Sequence, residues 1–291
     1  MNNIRNILDK YDIKGNKLTI RNNARIIDDK IVLKKRNNDL DKVYSYLKSR
    51  SFDYFPNIID SNDEYDIYPY IIDKYEPKEQ KGMDLIYLLS LLHSKTTYYR
   101  ENDIDHNKKI YEDINNEVDY LYNYYSDLIS LIEKEVYMSP SSYLLARNIN
   151  MVFDSIYYVK KSIEEWYKKI ENNKNERVSY IHNNVNLSHY IKNEKPYLIS
   201  WDKAEVDNPI YDLISFYRNH YRDLDFIDLL KVYESHYPLK EEEKLLMFSY
   251  LAMPYKLDMV NNEYKMCIKV NELINYLYKT NNLIMNYQKS K

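Results

Sequence analysis

Between Ile181 and Leu213 the sequence IHNNVNLSHYIKNEKPYLISWDKAEVDNPIYDL gathers the residues best suited to chemistry. His182 is followed two positions on by Asn184 and seven positions on by His189, and Ser200, Trp201 and Asp202 come next. An asparagine can hydrogen-bond a substrate hydroxyl but cannot take its proton, so Asn184 can orient a group without activating it. His182, His189 and Asp202 together offer nitrogen donors and one carboxylate, a set that suits softer metals, although two histidines seven apart on a loop also occur without a metal. His93, His106, His220 and His236 stand at no metal or triad spacing. The chain has no G-x-S-x-G elbow and no Walker loop, and no carboxylate pair stands out from the background.

The elements that must position this segment change character along the chain. From Lys17 to about Ile71 the pattern is short and strand-like: KLTIRNN, ARIIDD and KIVLKKR, separated by Asn-Asn and Asp-Asp turns, predict an antiparallel meander. Asp39–Ser49 has Leu40, Val43, Tyr44 and Leu47 on one helical face. NIID and DIYPYII read as two further strands, with Pro69 placing the second at an edge or a bulge. Tyr75–Lys81 is polar, contains Pro77 and reads as a connection. Beyond it the period lengthens to that of amphipathic helices: a buried one over Asp84–His93, then 108–135 and 142–172, with Ser139-Pro140-Ser141-Ser142 as stop and restart. After a strand-like YLISW come helices near 222–236, 240–252 and 259–287.

Composition sets the class. The chain has 291 residues, 44% hydrophobic and 30% charged, enough for a substantial folded core. Its 42 basic and 45 acidic residues are mixed, so nothing favours broad binding to nucleic acid or an anionic membrane. No window approaches the roughly 20 apolar residues of a membrane span, and the first residues lack a secretory core, so the expected location is cytoplasmic. A single cysteine, Cys267, excludes a disulfide framework and a Cys-based zinc module. The 35 tyrosines go with a chain rich in Asn, Ile and Lys, so tyrosine abundance is a compositional habit rather than a binding signature. The pairs at 98–99, 124–125 and 157–158 read as helix-surface and core-edge residues.

The spacing His182, Asn184, His189, followed by a strand, Ser200-Trp201-Asp202 and Asp207-Asn208-Pro209-Ile210-Tyr211-Asp212-Leu213, resembles the loop of aminoglycoside phosphotransferases and choline kinase-like proteins. Those proteins carry segments such as HGDLHPGN, a strand ending in IDW or IDF, and GDPxxDL at a helix start. Lys30–Arg36 (KIVLKKR) resembles the strand whose lysine meets nucleotide phosphates, with Lys34 at that place and Asp39 or Asp41 as its acidic partner. Leu91-Leu92-His93 resembles the family's LxxLH element, and Pro254-Tyr255-Lys256 with the two long helices resembles the CotS-type spore coat proteins. The resemblance implies an α+β, bilobal protein kinase-like fold. A β-rich N-lobe would span 1–74, a hinge 75–81 and a mainly helical C-lobe 82–291. It also implies structural roles for His182, Trp201, Pro209 and Asp212.

The departures from that pattern fall on the chemistry. Asn184 stands at the catalytic Asp position, His189 at the metal-binding Asn position and Ser200 at the metal-binding Asp position. Phosphoryl transfer depends on positioning and on charge neutralisation through magnesium, a hard ion that favours oxygen ligands. The implied cofactors are ATP and Mg, and a chain with these substitutions could bind neither. Asp202 offers two readings: a replacement metal acid, if the strand continues and puts residues 200 and 202 on one face, or a hydrogen-bonded strand end. The expectation is a pseudokinase acting as a binding or structural protein, its partner a spore coat or other protein assembly. The alternative is an active ATP-dependent small-molecule phosphotransferase. The N-terminal turn Arg21-Asn22-Asn23-Ala24-Arg25 contains no phosphate-cradling glycine.

Overall fold

The structure is a computed structural model that describes residues 10, 11, 13, 15, 17–21, 24–36 and 38–289. β1 (Leu18–Arg21), β2 (Ala24–Ile27), β3 (Ile31–Lys35), β4 (Asp60–Ser61) and β5 (Tyr65–Pro69) form an antiparallel sheet in the order β1-β2-β3-β5-β4. Alternation in β3 sends Ile31 and Leu33 to one side, where they pack with Ile13, Ile27 and Ile67 in a small core of their own. Val32 and Lys34 therefore take the other side, and Val32 packs against the main core of the protein. α1 (Asn38–Ser49) buries Leu40, Val43, Tyr44 and Leu47 in that main core, as its one-faced pattern requires.

β5 is an interior strand, which corrects the edge placement expected from Pro69. The proline is tolerated because it is the last residue of β5, beyond Asp60 and Ser61, where its missing N–H breaks no ladder with β4. NIID contributes only its Asp60 to β4. Residues Asn22 and Asn23 of the glycine-free turn lie outside the described residues.

α2 (Lys78–Thr96) begins inside the stretch read as a connection, because Pro77 occupies the N-cap, where a missing N–H costs no intrahelical bond. It buries Leu85, Ile86, Leu88, Leu89, Leu92 and His93. β6 (Tyr98–Glu101) follows, so the Tyr98-Tyr99 pair lies on a strand rather than on a helix surface. α3 (Ile104–Ile132) and α4 (Pro140–Ile170) are the two long helices; Ser139 caps α4 by accepting from the Ser142 N–H at 3.2 Å. Tyr125 is fully buried and its hydroxyl donates to the Tyr255 carbonyl at 2.6 Å, so this member of its pair is core rather than surface.

Four strands surround the key loop where the sequence suggested one. β7 (Asn175–Ile181) lies between β6 and β10 (Glu205–Asp207), while β8 (Tyr190–Lys192) and β9 (Pro196–Leu198) form a separate hairpin. The helical region closes with α5 (Ile210–His220), α6 (Phe226–His236), α7 (Glu241–Ala252) and α8 (Glu263–Lys289). No helix among the described residues is long and apolar enough to cross a membrane. A small antiparallel sheet followed by a large helical body gives the α+β, bilobal architecture of the kinase-like fold.

Candidate functional site

The site is the loop leaving β7, and its geometry starts from a buried carboxylate. Asp212, in the first turn of α5, has no solvent exposure. Its Oδ2 accepts from the His182 backbone N–H at 2.8 Å and its Oδ1 from the Asn183 N–H at 2.7 Å. His93 from α2 donates through Nε2 to Oδ2 at 3.0 Å, and the Tyr233 hydroxyl of α6 meets His93 Nδ1 at 2.7 Å. Burial holds the Tyr233 phenol well above its ordinary pKa, so the hydroxyl stays protonated. Asp212 is thus a buried charge with several donors, the condition under which such a charge is tolerated.

That bracing permits backbone the sequence alone would not adopt. Asn183 has φ 52°, the left-handed region that asparagine tolerates better than most residues, and its Nδ2 donates to Glu205 Oε1 on β10 at 2.6 Å. Ser200 also has a positive φ, 68°. The strand expected at YLISW ends at Leu198, and Trp201–Ala204 form a turn closed by the Ala204 N–H on the Trp201 carbonyl at 3.0 Å. Side-chain alternation therefore cannot place residues 200 and 202 on a common face, and that expectation is corrected.

His182 is fully buried. Its Nε2 donates to the Ile199 carbonyl at 2.9 Å and its ring meets Trp201 edge-on at 4.7 Å. Burial lowers its pKa against the opposing pull of Asp212, so the ring is neutral, with Nδ1 an acceptor that has no partner among the described residues. Trp201 donates from Nε1 to the Leu198 carbonyl at 2.8 Å and packs against Phe52 and Phe55 from the segment after α1. Pro209 is buried at the N-cap of α5.

The substituted positions do come together. Asn184 Nδ2 reaches the Ser200 carbonyl at 3.5 Å, and His189 Nδ1 donates to the Asn184 carbonyl at 2.7 Å. The rings of His182 and His189 lie 6.2 Å apart. Lys34 reaches across from β3 to Asp202, on the turn before β10, at 3.6 Å. The Asp39 side chain lies outside the described residues.

The donor set does not fit magnesium. His189 turns a nitrogen to a backbone carbonyl, Ser200 has a hydroxyl in place of a carboxylate, and Asp202 faces a lysine. Among the described residues no group of three His, Cys, Asp or Glu side chains is placed to hold a metal ion. The softer-metal set of His182, His189 and Asp202 is likewise not assembled. Lys34, the β3 lysine expected to meet a nucleotide phosphate, pairs with Asp202.

Sequence reading missed the partners that brace the loop. His93 was seen as the end of LxxLH, yet its bond to Asp212 spans 119 positions and that to Tyr233 spans 140, separations no local motif encodes. Glu205, which holds Asn183, carried no signal of its own.

No family model matches the chain, and no curated protein matches it in sequence. Solved structures do match. An aminoglycoside phosphotransferase from Alicyclobacillus acidocaldarius is 11% identical with a TM-score of 0.66, the match covering 97% of this chain and 94% of that one. A spectinomycin phosphotransferase in complex with AMP is 14% identical with a TM-score of 0.54, covering 96% and 97%. A glucosamine kinase in complex with glucosamine, ADP and inorganic phosphate is 9% identical with a TM-score of 0.53, covering 94% and 76%. At these identities the likeness concerns architecture alone, and the conclusion it supports is that this chain has the bilobal, kinase-like fold of those phosphotransferases.

Proposed function

We propose that this protein is a pseudokinase: a kinase-fold chain that works by binding rather than by phosphoryl transfer. One observation carries the reading. Asn184 and His189, on the braced loop, and Ser200, just beyond the β8–β9 hairpin, stand together through bonds to backbone carbonyls and bring no carboxylate, while Asp202 is drawn to Lys34. Without a base, a substrate hydroxyl is oriented but not deprotonated. Without carboxylates facing the phosphates, the charge that develops in phosphoryl transfer goes unneutralised. Pro254-Tyr255-Lys256 and the two long helices α3 and α4 support placing the chain beside CotS-type spore coat proteins, with a place in a protein assembly.

The competing reading, an ATP-dependent small-molecule phosphotransferase, draws on the Lys34 to Asp202 bridge, which keeps one cation and one acid together between the lobes. A thermal-shift titration with ATP, with and without MgCl2, alongside an assay for ADP release, separates the two. The pseudokinase reading expects no magnesium-dependent rise in Tm and no ADP; a magnesium-dependent rise with turnover overturns it. The combined variant Asn184→Asp, His189→Asn, Ser200→Asp is expected to gain magnesium-dependent nucleotide binding. Position 200 accommodates the change, because aspartate tolerates positive φ better than serine. If the variant folds and binds no better, these three positions do not face a metal site.

A further inference from the structure

A second cleft lies at the other end of β10 from the loop. Glu205, at one end of that strand, holds Asn183; Asp207, at the other, lines the cleft. Arg100, Asn107, Trp166, Arg177 and Glu243 are among its other walls. Its two arginines and its lysine are already matched. Arg100 pairs with Glu176 at 2.5 Å, Lys240 with Glu242 at 3.7 Å, and Arg177 binds Glu243 through both carboxylate oxygens.

Asp207 is the carboxylate left over. Its hydrogen bond comes from the N–H of its neighbour Asn208 at 2.7 Å, and it makes no ion pair among the described residues. Burial raises its pKa despite Arg100 and His106 nearby, the mark of a carboxylate short of compensation. Asn107 gives a second, independent sign. Only 8% exposed, it donates through Nδ2 to Asn102 Oδ1 at 2.6 Å, and its own side-chain carbonyl receives no donor among the described residues. The Asp207 carboxylate, without an ion pair among the described residues, and the Asn107 side-chain carbonyl, without a protein donor among them, therefore line one cleft.

We propose that this cleft binds a small organic ammonium ion, whose N–H groups donate to the Asp207 carboxylate and the Asn107 carbonyl. An anion is disfavoured because Arg100, Arg177 and Lys240 are each occupied by a glutamate. A metal ion is disfavoured because no ligating cluster of His, Cys, Asp or Glu is present among the described residues. Trp166, 3% exposed, supplies an aromatic wall of the kind cations favour. The proposal stands apart from the pseudokinase reading, since neither Asn184 nor Lys34 lines this cleft.

Isothermal titration of the whole chain without nucleotide tests it, using ethanolamine and putrescine as probes at matched ionic strength and ethylene glycol as the uncharged control. Saturable binding of the amines but not of the glycol is expected, with affinity falling about tenfold in Asp207→Asn, as for the loss of one charged hydrogen bond, and holding in Asp154→Asn on the exposed face of α4. Absence of amine binding, or equal loss in both variants, overturns the proposal. Should Asp207→Asn fail to fold, Asn107→Asp adds a carboxylate to the same cleft and is expected to tighten amine binding several-fold. An unchanged affinity there overturns the proposal as well.

Discussion

The two sides of one loop differ sharply. On the inner side, Asp212, His93 and His182 are fully buried, and Asp212 receives two backbone N–H groups and an imidazole. On the outer side, Asn184, His189 and Ser200 are part-exposed and include no carboxylate, joined by one good hydrogen bond and one at 3.5 Å, and Asp202 is half in solvent. The contrast teaches that positioning and charge are separable parts of such a site. The carboxylate that holds the loop backbone is fully engaged, while Asn184, His189 and Ser200 bring no carboxylate of their own, as the proposed pseudokinase reading requires.

The strongest way to break this comparison is to remove the brace. Asp212→Ala leaves two backbone N–H groups and His93 without their acceptor, and a destabilisation of about 3–5 kcal/mol is expected from denaturant titration. A loss under about 1 kcal/mol would show that the inner side is not what holds the loop. A pH series sharpens the same point. His182 and His220 are both buried with pKa values lowered from 6.5, so the unfolded chain binds protons first as pH falls. Their contribution is complete above about pH 6.5 and declines below it. The urea midpoint should therefore fall between about pH 7.5 and 5.5, and a flat profile contradicts the buried, neutral assignment. Smallest of all is Asp202→Ala. A half-exposed pair at 3.6 Å is worth less than about 1 kcal/mol, so stability should barely change. A cost comparable with that of Asp212→Ala would erase the distinction between the two sides.

Much of the architecture was legible because it rests on periodicity. The meander of β1, β2 and β3, the one-faced α1 and the long helices all follow from where apolar residues recur, and Ser139-Pro140 marks the start of α4 by its capping chemistry. β6, β7, β8 and β10 were missed; β6, β8 and β10 have only three or four residues and exist only through their partners. The turn at Ser200 was misread as strand for a related reason. Nothing in YLISW signals that Trp201 will fold inward, bond Leu198 and force the preceding residue to positive φ.

At the site, the inventory was settled by sequence: which residue types stand at which spacing, and hence that Asn184, His189 and Ser200 bring no carboxylate of their own. Tertiary structure decided the pairings. His93 meets Asp212, Lys34 meets Asp202 and Asp207 makes no ion pair among the described residues, because each outcome depends on elements far apart in the chain packing against one another. The chemistry a residue can do is a property of its side chain, and the chemistry left to it depends on what burial and neighbours have already claimed.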